Sequence, residues 1–179
     1  MVYVFLADGF EEMEAVTPID ILRRAGCDVA TVGVTGEMVT GCHDITVKSD
    51  VTEISLRDAE MIILPGGSGG ADNLFESKMV TEAVFYCAQN GRRIAAICAA
   101  PYILGKLGVL DGKRAVCYPD PKFEKCLENA IISSDPVVTD GNITTGKGAG
   151  YSLDFGVELV RILKGEEAAE KVWAGMMCK

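Results

Sequence analysis

The group most able to do chemistry in this chain is a cysteine set between small residues where a strand gives way to a helix. Cys98 lies in Ile94-Ala-Ala-Ile-Cys-Ala-Ala-Pro101. The spacing Ala96-Ile97-Cys98-Ala99-Ala100 has the small-x-nucleophile-x-small layout of a nucleophile elbow, with alanines where glycines are usual. Small neighbours are needed because the turn is sharp. Pro101 suits the first turn of a following helix, so Cys98 is expected at a helix N-terminus, where partial positive charge favours thiolate and lowers the thiol pKa. The competing reading is that Cys98, like most free cysteines, is a small buried hydrophobe.

Partner groups are sought next. Pro65-Gly-Gly-Ser-Gly-Gly70 directly follows the apolar strand Met61-Ile-Ile-Leu64. A glycine pair there lets backbone N–H groups face a bound oxygen, so Gly66, Gly67 and the Ala99 amide are expected to form an oxyanion hole. The run does not match G-x-G-x-x-G and is otherwise a plain glycine-rich turn. Gly141-Asn-Ile-Thr-Thr-Gly-Lys-Gly148 only superficially resembles a phosphate loop, because Gly148 stands where Ser or Thr would bind magnesium. Glu11, Glu12 and Glu14 make an acidic first helical turn, the ordinary solvated arrangement. An inward-facing one would have to be protonated to sit beside a thiolate, and burial raises a carboxyl pKa in that direction.

These groups need a scaffold. Val2–Ala7 reads as a buried strand, followed by a helix to about Ala25; Asp28–Val34 is the second strand, and Gly36 to Val47 a hairpin or excursion. Further strands are expected at 61–64, 93–97, 115–117, 137–138 and 143–145. Helices are expected at 78–89, from Pro101 through Leu107, at 152–163 and at 166–173, with residues to Leu127 of uncertain type. Strands that are apolar throughout and alternate with helices indicate an α/β sandwich with a parallel sheet covered on both faces. Ligands then bind beyond the carboxyl ends of the strands, where Asp8-Gly9, Gly66-Gly67, Cys98 and Gly146 converge.

Composition bounds the rest. The chain has 179 residues, one domain's worth, with 49% hydrophobic and 24% charged residues. Its formal net charge of −9 and lack of a basic cluster argue against nucleic acid as a partner. No segment reads as a signal peptide or membrane span, so no membrane association is expected. The seven cysteines form an odd set without a C-x-x-C pair, and there is one histidine, His43. Reduced thiols in the cytoplasm are expected, with no metal and no cofactor, because no zinc site of the usual spacing can be assembled locally.

In combination, Glu11-Glu-Met-Glu14, Thr17-Pro-Ile-Asp20, Arg23-Arg-Ala-Gly26, Leu64-Pro-Gly-Gly67, Ala95-Ala-Ile-Cys-Ala-Ala-Pro101 and Asp154-Phe155 resemble the ThiJ/PfpI superfamily, which is class I glutamine amidotransferase-like. The resemblance spans essentially the whole chain and is closest to the small single-domain branch of the parkinsonism-associated protein deglycases. It implies a flavodoxin-like three-layer sandwich, a single domain over 1–179 and a homodimer. By motif position it makes Glu14 the protonated glutamate that hydrogen-bonds an oxidisable elbow cysteine, Cys98. It also implies activity on a small-molecule carbonyl or a glycated protein, of glyoxalase or deglycase type, or else a redox-sensing or chaperone role in oxidative stress.

Two departures limit this. Tyr118, in Cys117-Tyr-Pro119, stands where many members carry a histidine near the thiol. A phenol, with an ordinary pKa of about 10, donates a hydrogen bond at neutral pH but does not take up a proton. Ala99 replaces the histidine that follows the cysteine in the peptidase branch, which disfavours protease activity. Tyr118, Arg24 and His43 are the auxiliary candidates, the last two as groups that would act near the neighbouring subunit's cysteine.

Overall fold

The computed structural model describes residues 1–178. In chain order the strands are β1 (Val2–Leu6), β2 (Val29–Gly33), β3 (Met38–Thr40), β4 (Thr46–Lys48), β5 (Met61–Leu64), β6 (Arg93–Ile97), β7 (Arg114–Ala115), β8 (Ile131–Ile132), β9 (Val137–Asp140) and β10 (Ile143–Gly146). The helices are α1 (Glu12–Arg24), α2 (Ser68–Glu76), α3 (Lys78–Gln89), α4 (Pro101–Lys106), α5 (Pro121–Glu124), α6 (Ser152–Lys164) and α7 (Glu166–Gly175).

The central sheet runs β2-β1-β5-β6-β10-β9. Its first five strands are parallel, and β9 pairs antiparallel with β10 at the edge. Alternation of side chains along each strand sends them into two cores. Tyr3, Phe5, Ile62, Leu64 and Ala96 face α2, α3 and α4, while Val2, Val4, Leu6, Ile63 and Ile97 face α1, α6 and α7. This is the flavodoxin-like three-layer sandwich anticipated from the sequence, and full burial of β1 and β5 explains why their sequences are apolar throughout.

The glycine run after β5 differs from its expectation as a simple turn. The turn proper ends at Gly67, and Ser68 begins α2, which carries Gly69 and Gly70 inside it. A Cβ at Gly70 would lie 2.6 Å from the Phe10 backbone. The helix is therefore built on glycine because it packs directly on the Gly9-Phe10 turn, and the Gly70 N–H donates to Gly9 O at 3.0 Å. Close packing overrides the low helix propensity of glycine.

The order of the five parallel strands reverses direction between β1 and β5. From β1 the chain moves outward to β2 on one side, and from β5 onward to β6 and β10 on the other. The segments leaving β1 and β5 thus diverge at a topological switch point, which opens a crevice at the carboxyl edge. Glu14, Gly66 and Cys98 sit at that edge.

Candidate functional site

Cys98 follows β6 directly and has φ of 63°, in the left-handed region that a side-chain-bearing residue rarely occupies. Its own hydrogen bonds hold it there: its N–H donates to Gly146 O at 2.9 Å and its carbonyl accepts from Tyr118 N–H at 2.7 Å. Such a conformation persists only where surrounding contacts over-determine it. The thiol is partly exposed, while Ala99 and Ala100 are buried.

Glu14 reaches this edge from α1. Glu11 caps that helix, its carboxylate accepting from Glu14 N–H at 2.8 Å, and Glu11 N–H in turn donates to Gly66 O at 3.0 Å. The Glu14 side chain is fully buried. One oxygen, Oε2, accepts from Gly66 N–H at 2.9 Å. The other, Oε1, is buried without a hydrogen bond of ordinary geometry, and the Cys98 thiol and the Ala149 N–H are the further polar groups beside the carboxyl.

Gly66 separates the two side chains. A Cβ there would lie 2.4 Å from Glu14 Oε2, 2.7 Å from Cys98 Cβ and 2.9 Å from Ile97 O, so only glycine fits between carboxyl and thiol. Its neighbour Gly67 has φ of 85° and lies against the Gly9-Phe10-Glu11 backbone.

The electrostatics follow from this enclosure. Burial foremost, then the charge of Glu11, pushes Glu14 up to about 7, against hydrogen bonds from Cys98, Gly66 N–H and Ala149 N–H. The Cys98 thiol is raised as well, by burial first and then by the Glu14 carboxylate, while the N–H groups of Gly67 and Ala99 favour the thiolate. The two groups therefore titrate as a pair, and the doubly charged state is excluded at neutral pH.

This changes two expectations. The helix after Cys98 was expected to lower the thiol pKa by itself, but α4 is only six residues long and burial opposes it. Gly66 was expected to offer its N–H to an oxyanion, but that N–H is taken by Glu14. The donors beside the sulfur are Gly67 and Ala99, neither of which serves another backbone acceptor among the described residues. The resulting arrangement combines a thiol, a carboxyl group able to hold a proton near neutral pH, and two N–H donors.

The auxiliary candidates fall elsewhere. Tyr118 is half exposed; its backbone N–H reaches Cys98 O, while its ring lies edge-on to Phe123. Arg24 pairs with Asp20 at 2.6 Å at the far end of α1, ten residues or about 15 Å along the helix from Glu14. His43 follows β3 and bonds Glu12, making no hydrogen bond with Cys98. Glu11, read from the sequence only as part of a solvated acidic turn, caps α1; the signal for that role is a carboxylate three residues before Glu14, the spacing of a side-chain cap.

A separate cleft of about 480 Å³ between α6, α7 and β9 is lined by Asp154, Arg161 and Trp173 and shares no residue with this edge. Among the described residues no helix is long and apolar enough to cross a membrane.

Known proteins share this architecture. The chain is 37% identical over 186 residues to the Parkinson disease protein 7 homolog of Danio rerio, covering 98% of this chain and 96% of that protein. It superposes on the crystal structure of Drosophila melanogaster DJ-1beta with a TM-score of 0.91 and 36% identity, covering 99% and 97% of the two chains. The structure of oxidized Toxoplasma gondii DJ-1 gives 0.93 and 32%, with coverage of 99% and 97%. With the model of the DJ-1/PfpI family matching residues 1–162 as well, the chain belongs to the DJ-1/PfpI family.

Proposed function

We propose that this protein is a cysteine-dependent enzyme acting on small reactive carbonyls or their protein adducts, in the manner of a glyoxalase or deglycase. The observation that carries the reading is the Cys98–Glu14 pair: a strained elbow cysteine beside a fully buried carboxyl group whose pKa is pushed up to about 7. With the pair's proton on Glu14 and the sulfur beside the N–H groups of Gly67 and Ala99, Cys98 is the nucleophile.

The thiolate adds to the aldehyde carbon of methylglyoxal, forming a C–S bond as the carbonyl electrons move to oxygen, and Glu14 delivers its proton to that oxygen. The product is a hemithioacetal. The Glu14 carboxylate then takes the proton from the former aldehyde carbon and returns it to the neighbouring carbonyl carbon, while the hydroxyl proton passes from the first oxygen to the second, leaving a thioester of lactate. Water cleaves the thioester to lactate and free Cys98. Without a histidine at 99 or 118 the only proton shuttle is Glu14, so turnover is slow, and peptidase chemistry has no base.

Incubation with methylglyoxal tests this. Wild type forms lactate and Cys98→Ala forms none; equal rates in both overturn the reading.

A second reading is a redox sensor or stress chaperone in which Cys98 is oxidised to sulfinate. It is favoured by the relative whose structure is that of an oxidized form, and by the same donors, which suit sulfinate oxygens. After mild peroxide, mass spectrometry should find Cys98 oxidised well ahead of Cys27 and Cys87; equal oxidation excludes the idea.

A homodimer accords with Met13 and Val16, large apolar residues about half exposed on α1 next to the site. A reducing cytoplasmic setting accords with all seven cysteines being free thiols.

A further inference from the structure

A second cluster of chemically able side chains stands on the outward side of α1. Glu12, the first residue of that helix, is 7% exposed. Its Oε1 accepts the His43 backbone N–H at 2.7 Å. Its Oε2 meets His43 Nδ1 at 2.7 Å and the Cys42 thiol at 3.5 Å, and Cys42 Sγ lies 3.3 Å from His43 Nδ1. A thiol, an imidazole and a carboxylate thus converge on one point, their ligand atoms all within 4.8 Å of one another.

The convergence is built into the backbone. Cys42 N–H donates to Phe10 O at 2.8 Å, which fastens the loop after β3 to the start of α1. Gly41 makes room for the carboxylate, because a Cβ there would lie 2.3 Å from Glu12 Oε1 and 2.5 Å from its Cδ. With Oε1 committed to a backbone donor, Oε2 is aimed at the other two groups. Glu11 and Asp44 add negative charge around His43.

We propose that Glu12, Cys42 and His43 form an accessory metal site for a borderline first-row divalent cation such as Zn²⁺. Tetrahedral zinc with ordinary bond lengths separates its ligands by about 3.6 Å for S···N, 3.6 Å for S···O and 3.4 Å for N···O. Two of the three edges already match to within about 0.3 Å. The third closes as a hydrogen bond between His43 and Glu12 and opens by roughly 0.7 Å when a cation replaces the shared proton. That movement falls on His43, whose side chain is exposed. Thiolate with imidazole selects zinc or cobalt over magnesium or calcium. The exposure of Cys42 and His43 leaves the fourth position to water or an external ligand. A bound cation would clamp the β3–β4 loop to the same helical turn that carries Glu14.

Titration of the reduced, metal-free full chain with Co²⁺, followed by competition with Zn²⁺, tests the site. One equivalent of Co²⁺ should bind with tetrahedral visible bands and a near-ultraviolet thiolate-to-cobalt charge-transfer band. Cys42→Ser should abolish the charge-transfer band, and His43→Ala should weaken affinity at least about tenfold, as expected for loss of a residue that binds the metal directly. Both residues lie in an exposed loop, so circular dichroism should report an intact fold. Cys98→Ser should leave the band unchanged. Loss of the band in Cys98→Ser with its retention in Cys42→Ser overturns the proposal, as does the absence of Co²⁺ uptake by wild type at tens of micromolar. Neither result bears on the carbonyl activity, which is read by lactate.

Discussion

Glu12 and Glu14 stand two residues apart at the start of one helix, and their environments send them in opposite directions. Both side chains are taken out of water. For Glu12 burial works against the charge, but hydrogen bonds from the His43 ring and backbone N–H win and hold it down to about 2. For Glu14 burial wins and lifts it to about 7, against the hydrogen bonds from Cys98, Gly66 N–H and Ala149 N–H. Depth of burial and the donors that meet the anion together set the protonation state: Glu14 lies deep among protein atoms, whereas Glu12 lies near the surface beside the exposed His43 ring. Two residues along a helix turn a side chain by about 200°, which places these carboxylates against different neighbours.

The largest effect is expected where the Glu14 pocket is filled. Gly66→Ala places a methyl group against the Glu14 carboxylate, Cys98 Cβ and the Ile97 carbonyl. It should cost more than about 3 kcal/mol of unfolding free energy, the upper range for overpacking. A variant of wild-type stability in urea denaturation would mean that carboxyl and thiol are not confined as described.

Next comes the pH dependence of Glu14. Its folded-state value near 7 lies above the ordinary 4.5, so between these values the native state holds a proton that the unfolded chain has released. The stability contribution is present in full below about pH 4.5 and is lost as pH rises to about 7. Glu14→Gln lacks this slope and should gain on wild type across that window by about 2–3 kcal/mol. A difference that is flat or of opposite sign would break the contrast with Glu12.

Glu12→Gln should act in the other direction and by less. It weakens the bonds to His43 N–H and Nδ1, so a loss of about 1–2 kcal/mol at neutral pH is expected by thermal or urea denaturation in chelated buffer. A gain in stability would place Glu12 in the same class as Glu14.

The smallest effect is reserved for Tyr118→Phe. The hydroxyl makes no hydrogen bond among the described residues, and the contact with Cys98 is through the backbone. Lactate formation should change by less than about twofold, as for a surface substitution away from the reacting groups.

Much of the fold was legible because local pattern and burial coincide. The wholly apolar run 61–64 and the helix 78–89 have the boundaries read from the sequence. The closing helices differ by one or two residues at their ends. What escaped reading was governed by contact. The glycine run concealed α2, because the need for glycine arises from the Phe10 backbone sixty residues away in sequence. The assignment of an oxyanion donor to Gly66 failed similarly, since its N–H is claimed by a side chain 52 positions earlier.

The elbow at Cys98 was determined by the sequence alone, because the turn needs small residues at covalently adjacent positions. Family membership was equally legible, through motifs spread along the chain. The family resemblance already pointed to Glu14 as the glutamate beside the thiol; only the tertiary structure showed that Glu12 meets Cys42 and His43 and that Glu11 caps the helix. Three acidic residues within one helical turn look alike in a sequence. Their chemistry diverges because proton affinity depends on solvent and donors supplied by segments folded against them from about thirty to more than a hundred residues away.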